Sequence, residues 1–449
     1  MPNKMEWDKL LLPQRHNSDE GSSQIHETRS TFQRDYDRVI FSSPFRRLQN
    51  KTQVFPLPGS VFVHNRLTHS LEVASVGRSL GNSIIDVIEK KEPKISSHLI
   101  EQIPTIISTA CLSHDLGNPP FGHSGEESIR AFFIDNQSSI KNGLSSSEWS
   151  DLINFEGNAN ALRLLTQKME GKRDGGFRLS YPVLSSIVKY PWESTFSEKK
   201  KFGFFQTEKE LYSAIAEKLG IHQIKSSPLV YSRHPLVYLV EAADDICYQI
   251  MDIEDAHKLG ILPSEQVHQL FLGFFDPHKD KDTLLKIKKT LHDVNDANEQ
   301  IAFLRSLTIG KLTRECAKAF EQNYESIMQG VAVKPLIKQL NTQGETALSE
   351  VKKVAFEQVY NHRTVVEIEI AGYQVINTLL RTIGFAMIDS KNKYSQKVLQ
   401  LIPKQYLPST SSPYLKLMTL VDFISGMTDV YALEMYRILT GISIPGINR

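Results

Sequence analysis

The sequence has few of the features that mark disulfide-rich, fibrous or membrane proteins. Its 449 residues include three cysteines, Cys111, Cys247 and Cys316, which are widely spaced and odd in number. They predict neither a disulfide framework nor a zinc–cysteine site, and they fit a reducing compartment. No apolar run reaches about 18 residues, and the polar N-terminus has no apolar signal core. We therefore expect a cytoplasmic protein without a membrane span.

The net charge is also small, and patterns typical of β-strands are rare. The formal net charge of +1 gives no global field that would favour nucleic acid or membrane, so any basic surface is a local patch. Strand-like alternation is short and rare, whereas helical spacing of apolar residues is common, as over residues 236–250. These patterns predict an all-α fold with one small β-hairpin at most, placed at residues 53–59, where two prolines interrupt the chain.

The densest group of chemically active side chains lies in residues 113–126. It contains His114, Asp115, His123 and Glu126. The apolar residues 106–112 before it predict a buried helix that ends near Gly117, because Pro119 and Pro120 cannot continue a helix. The first two side chains then lie at the C-terminal end of this helix, where both can approach one metal ion, and the last two lie at the start of the next.

Two further segments offer the additional ligands that a divalent metal needs. His69 lies in the first turns of a predicted amphipathic helix. Asp244, Tyr248 and Asp252 are spaced four residues apart and share one face of an otherwise apolar helix. Carboxylates there are unfavourable unless they are paired or bind metal. Taken alone, each residue has a structural explanation, since a histidine can cap a helix and an aspartate can pair with an arginine.

Together, the order His, His-Asp, Asp matches the metal-ligand pattern of the HD superfamily. The four matching residues are His69, His114, Asp115 and Asp244. Imidazole and carboxylate ligands suit Mn, Fe, Co, Zn and, less well, Mg.

Further motifs make the resemblance more specific. They lie at residues 32–55, 65–70, 114–123, 155–159, 189–192 and 422–432. In this order they resemble the motifs of bacterial dGTP triphosphohydrolases, and the resemblance spans residues 28–441. It implies a helical HD-domain core with a C-terminal helical extension, and hydrolysis of a deoxynucleoside triphosphate to a deoxynucleoside and intact triphosphate. It also implies a homo-oligomer, usually a hexamer.

The resemblance divides the chain and supplies the catalytic roles. We expect a polar segment at residues 1–27, the catalytic core at 28–270, and a C-terminal helical region at 271–449 that packs on the core. The four ligands would hold Mn²⁺, Mg²⁺ or Co²⁺, which polarises the α-phosphate and acidifies a bound water. His123 would be the acid–base residue near the 5′ oxygen and Glu126 its orienting partner; the structural alternative is that His123 caps the following helix.

The resemblance also implies substrate contacts. Arg66 would bind phosphate oxygens, with a surface ion pair as the alternative. Gln53, Tyr248 and Asp252 would face the sugar, where a ring close to C2′ excludes ribonucleotides. Asn118 stands where some broader-specificity relatives have histidine, which favours the dGTPase branch and leaves one catalytic role open.

Four hypotheses of function follow, with a dGTP triphosphohydrolase of dNTP-pool control as the leading one. The second is a triphosphohydrolase that accepts several dNTPs or needs one as activator. The third is an HD monophosphatase or cyclic-nucleotide phosphodiesterase, against which the motifs near residues 32 and 427 argue. The fourth is a non-catalytic nucleic-acid-binding protein. Regulation by a nucleotide or single-stranded DNA stays open, because basic and aromatic residues are not interleaved.

Overall fold

The protein is almost entirely helical in the computed structural model, which describes residues 4–16, 29–55, 63–168, 175–196, 201–407 and 410–444. The helices are α1 Trp7–Leu10, α2 Thr31–Ile40, α3 Ser43–Arg47, α4 Arg66–Lys91, α5 Ser97–Ile100, α6 Ile103–Ser113, α7 Gly122–Asp135, α8 Gln137–Ile140, α9 Ser146–Ile153, α10 Gly157–Thr166, α11 Tyr181–Ile187, α12 Lys209–Leu219, α13 Val237–Lys258, α14 Ser264–Leu272, α15 Lys281–Asp293, α16 Ala297–Gln322, α17 Tyr324–Met328, α18 Thr342–Val354, α19 Arg363–Ile388, α20 Lys393–Leu399, α21 Pro413–Ser425 and α22 Asp429–Leu439. The all-α prediction is confirmed.

A single antiparallel hairpin interrupts the helices of the described chain. Its strands are β1 Gln223–Ser226 and β2 Leu229–Tyr231. The predicted position at residues 53–59 was wrong for its described part, because residues 53–55 form no strand; residues 56–59 lie outside the described residues. The two prolines near residue 56 are typical of a turn, but the hairpin turns at Ser227-Pro228 between β1 and β2.

Close packing of α4 on α6 sets the geometry of the central core. A Cβ atom at Gly77 would lie 2.6 Å from the Cys111 Sγ atom, and one at Gly81 would lie 2.8 Å from the Pro104 Cα atom. Only glycine therefore allows the two helices to approach this closely. The apolar helix α6 is buried along its whole length and ends at Ser113, earlier than the predicted end near Gly117, since the Leu116 N–H turns back to the Ser113 carbonyl.

Helix α4 begins where its sequence provides a cap. The Asn65 side chain accepts from the Thr68 N–H, and the Thr68 hydroxyl is placed to accept from the Asn65 N–H. This reciprocal cap satisfies backbone donors that a helix start leaves unpaired. It fixes the first turn of α4, which carries Arg66 and His69.

Two apolar clusters make up the core of the described chain. One joins buried residues between positions 5 and 365, and the other joins residues between positions 129 and 435. Each cluster includes residues on both sides of position 270, and the division into regions 28–270 and 271–449 stays a prediction. Among the described residues, every helix is too short or too polar to cross a membrane.

Candidate metal centre and active site

The start of α4, the residues that directly follow α6 and an interior turn of α13 bring the predicted ligands together. Ligand atoms of His69, His114 and Asp115 all lie within 4.8 Å of one another. The Asp244 Oδ1 atom lies 3.2 Å from the His69 Nε2 atom and 3.4 Å from the His114 Nε2 atom. Helix α4 supplies the first histidine, the C-terminal end of α6 supplies the His-Asp pair, and α13 supplies the second aspartate.

The His114 side chain is prepared to donate a lone pair. Its Nδ1 atom lies 2.6 Å from the Cys111 carbonyl oxygen. A carbonyl only accepts, so Nδ1 carries a proton, and Nε2 is the atom that can offer its lone pair to a metal ion in place of a proton. That Nε2 atom is buried and has no hydrogen-bond partner. A backbone carbonyl behind an imidazole is the usual support of a metal-binding histidine.

The charges around this point favour a cation. Burial lowers the pKa of His114, but the carboxylates of Asp115 and Asp244 outweigh it and raise the pKa to about 9. Burial opposes ionisation of Asp244, yet His114 and His69 hold its pKa well below the usual range. His69, His114 and Asp115, with Asp244 beside the two histidines, are a donor set that fits a divalent metal ion.

Asp115 is oriented by two residues that were predicted to face the substrate. The Arg66 Nη1 atom donates to Asp115 Oδ2 at 2.8 Å, and the Asn118 Nδ2 atom donates to Asp115 Oδ1 at 2.5 Å. Arg66 is buried, and its ion pair is therefore internal. The structure gives both residues a role in holding a metal ligand, and their contact with substrate stays a prediction.

His123 and Glu126 form a pair at the start of α7. The His123 Nδ1 atom lies 3.3 Å from Glu126 Oε2, and Glu126 Oε1 accepts from the Gly157 N–H at 2.8 Å. Burial raises the pKa of Glu126, but His123, Lys201 and the Gly157 N–H together lower it to about 2. Glu126 is thus a buried anion, whereas the His123 side chain is 90% exposed and faces an open cavity of about 720 Å³.

Of the residues predicted to face the sugar, Tyr248 and Asp252 lie on α13, and Gln53 lies between α3 and α4. Asp252 is buried and accepts a hydrogen bond from the Tyr360 hydroxyl at 2.7 Å. Burial raises the pKa of Asp252 to about 8. Tyr248 is partly exposed and stacks on Tyr360 with ring centroids 5.9 Å apart. Gln53 has a buried Oε1 atom without a hydrogen-bond partner.

Three residues beside these groups had no predicted role. Tyr360 ends a π-helical turn at Ala355–Tyr360, and nothing in its local pattern indicates a partner so far away in the chain. Lys189 lines a small cavity with His114 and Asp244, and Lys201 lines the cavity of His123. The only sequence signal for Lys189 was its place in the motif at residues 189–192.

Comparison with family models gives the class of protein. An HD domain matches residues 66–150, and a phosphohydrolase-associated domain matches residues 339–438. The first match contains three of the four predicted ligands, His69, His114 and Asp115. With the helical fold, these features define an HD-domain phosphohydrolase.

Relatives narrow the class further. A deoxyguanosinetriphosphate triphosphohydrolase-like protein of Pseudomonas aeruginosa is 37% identical over 98% of this chain and 100% of its own length. A protein of the same description from Synechocystis is 36% identical over the same shares. A deoxyguanosinetriphosphate triphosphohydrolase of Serratia proteamaculans is 30% identical over 90% of this chain and 93% of its own length. The chain therefore belongs to the deoxyguanosinetriphosphate triphosphohydrolase-like family.

Proposed function

We propose that the protein hydrolyses dGTP to deoxyguanosine and inorganic triphosphate, in control of the dNTP pool. The observation that carries the proposal is the convergence of His69, His114, Asp115 and Asp244 at one point. A bound divalent ion would supply polarisation of the α-phosphate and a nucleophilic water at neutral pH. The Nε2 atoms of His69 and His114 and the carboxylates of Asp115 and Asp244 are the donors that would hold it.

His123 is the proposed acid–base residue. Attack of water on the α-phosphorus breaks the bond to the 5′ oxygen, so the triphosphate keeps the new oxygen and the 5′ oxygen needs a proton. The Nδ1 side of His123 faces Glu126, which leaves Nε2 for this proton. The buried anion of Glu126 stabilises the protonated imidazole and fixes its orientation.

Asp252, Tyr248 and Gln53 are the proposed sugar contacts. Because the pKa of Asp252 is about 8, its carboxyl group is mostly protonated at neutral pH and can both donate to and accept from a 3′-hydroxyl. The ring of Tyr248 on α13 stacks on the ring of Tyr360 from the turn at Ala355–Tyr360, and the two rings form a flat wall beside Asp252. Loss of the 3′-hydroxyl would leave these polar groups unpaired, which predicts poor hydrolysis of 2′,3′-dideoxy-GTP.

The lysines near the site are the proposed phosphate contacts. Lys189 Nζ lies 3.2 Å from Glu241 Oε1, and Lys201 Nζ lies 2.6 Å from Glu156 Oε1. Each ammonium group is held close to the catalytic residues by a buried glutamate. A triphosphate needs several cations, and these two add to the charge of Arg66.

A broader dNTP triphosphohydrolase is the second candidate. The relative described as the dGTPase itself is 30% identical to this chain, and the relatives described as triphosphohydrolase-like are 37% and 36% identical, so their names do not fix the base that this chain accepts. The homo-oligomer and a nucleotide or single-stranded DNA effector also belong to the proposal. Light scattering and turnover with each effector added test them.

Product analysis separates the hypotheses. Each dNTP and GTP is incubated with Mn²⁺, singly and in pairs, and the products are resolved by ion-exchange chromatography. We expect triphosphate and deoxyguanosine from dGTP, and none from the His123→Ala variant. Triphosphate from several dNTPs would select the second candidate. Pyrophosphate with a monophosphate, or no turnover of any nucleotide, would contradict the proposal.

A further inference from the structure

The C-terminal motif at residues 422–432 includes a buried carboxylate that contacts two distant segments. Asp429 begins α22, and its Oδ2 atom accepts from the Thr52 N–H at 2.7 Å. Its Oδ1 atom accepts from the Phe121 N–H at 3.1 Å. Thr52 directly precedes Gln53, and Phe121 lies two residues before His123. One carboxylate thus ties the proposed sugar-reading segment to the proposed acid–base turn.

The turn before His123 also depends on α19. Phe121 has a φ of 59°, a left-handed conformation that is unfavourable for a bulky residue. A Cβ atom at Gly372 would lie 2.5 Å from both the Cβ and Cγ atoms of Phe121, so α19 leaves room for this residue only because position 372 is glycine. The Ser128 hydroxyl donates to the Tyr373 carbonyl at 3.0 Å, and the Ser124 hydroxyl donates to the Glu369 carbonyl.

A buried lysine makes a third connection. The Lys51 Nζ atom donates to the carbonyl oxygens of Asn118 and Ser425, each at 2.6 Å. Burial lowers the pKa of Lys51 to about 7. Since the Asn118 side chain holds Asp115, this contact links the C-terminal motif to a proposed metal ligand.

We propose that residues 339–438, the phosphohydrolase-associated match, hold the turn at residues 118–123 in its active shape. Asp429 and Gly372 are the residues that position this turn. Neither contacts the proposed metal ligands: Asp429 acts on the Phe121 backbone N–H, and Gly372 leaves room for the Phe121 side chain. The kinetic part of this inference rests on the proposed function, whereas its structural part does not.

The test compares two glycine-to-alanine variants of the same helix. In Gly372→Ala the new Cβ atom collides with Phe121 and displaces His123. In Gly384→Ala the new Cβ atom meets the ends of the Leu420 and Phe132 side chains at 3.0 and 3.1 Å, which can shift. A displacement of about 1 Å in a catalytic group lowers turnover about 100-fold. We expect such a fall in kcat for dGTP, with little change in KM, in Gly372→Ala only.

Hydrogen–deuterium exchange gives a readout that needs no activity. Asp429→Asn replaces one of the two acceptor oxygens by a donor, so one of the two amides, that of Thr52 or that of Phe121, loses its acceptor and its protection. Asp422→Asn is the matched control, because Asp422 pairs with Arg163 and touches neither amide. Faster exchange near residue 52 or residue 121 in Asp429→Asn but not in Asp422→Asn supports the inference, even if the wild type hydrolyses no nucleotide. Equal exchange in both overturns it, and so does equal kcat in the two glycine variants when the wild type hydrolyses dGTP.

Discussion

At the residue scale, His114 is the proposed ligand whose tautomer and surroundings are the most closely defined. The Cys111 carbonyl fixes its tautomer, and its Nε2 atom is buried without a hydrogen-bond partner. We expect His114→Ala to lose the bound ion and turnover together, by more than the roughly 10–100-fold loss that follows mutation of a group that only orients a ligand. Metal content by mass spectrometry and dGTP turnover check this, with the exposed His98→Ala as control. Full metal content in His114→Ala would refute the assignment.

Asp252 makes stability depend on pH. Its pKa rises from an ordinary 3.8 to about 8 in the folded protein, chiefly through burial. Between pH 4 and pH 8 the unfolded chain releases the Asp252 proton and the folded chain keeps it. The contribution of Asp252 to the free energy of unfolding is therefore fully present below about pH 4 and is lost as the pH rises through 8. Asp252→Asn cannot titrate. Its Tm relative to the wild type should therefore increase from about pH 5 to pH 8.

The control for this pH series is Asp86→Asn, on the exposed face of α4. Its Tm difference from the wild type should stay level over the same interval. A level difference for Asp252→Asn as well would mean that Asp252 ionises normally.

Residue types and spacing predicted which side chains meet at the centre, because the chemistry of a metal site limits its ligands to a few residue types. They did not predict that Arg66 and Asn118 hold Asp115, or that Tyr360 donates to Asp252. Such partners depend on how helices distant in sequence cross. The spacing of residues around positions 252 and 360 gives no indication that the two are in contact.

At the element scale, the first residue of α10 packs closely against the side chains of Asn118 and Glu126. A Cβ atom at Gly157 would lie 2.0 Å from Asn118 Oδ1 and 2.9 Å from Glu126 Oε1. We expect Gly157→Ala to displace both side chains and lower kcat about 100-fold. Steady-state kinetics check this against Gly310→Ala on α16, whose Cβ atom would meet only Arg314 Nη1 at 3.5 Å. Equal kcat values in the two variants would show that the α10 contact is dispensable.

The existence of the long helices was predictable, since their apolar residues recur at helical spacing and Asn65 caps α4. The hairpin was misplaced for a physical reason. Proline marks a turn equally well in a loop and in a hairpin, and the exposed strand Gln223–Ser226 has little apolar alternation to distinguish it.

At the scale of the whole molecule, Trp7 of α1 connects the N-terminal residues to Tyr324 of α17. Trp7 is buried, and its Nε1 atom donates to the Tyr324 hydroxyl at 2.9 Å. We expect Trp7→Ala to lower the free energy of unfolding by about 3–5 kcal/mol through the lost apolar contacts and the cavity. Trp7→Phe, which loses the hydrogen bond but keeps most of the volume, should lose less. Urea denaturation measures both, and wild-type stability in Trp7→Ala would contradict this role.

The central claim is that water attacks the α-phosphorus of a deoxynucleoside triphosphate in a site built by His69, His114, Asp115 and Asp244. Hydrolysis of dGTP in oxygen-18 water, followed by phosphorus NMR and mass spectrometry of both products, tests it most directly. The account predicts intact triphosphate with the label on a terminal phosphate and unlabelled deoxyguanosine. Label in the deoxyguanosine, or release of pyrophosphate in place of triphosphate, would contradict it.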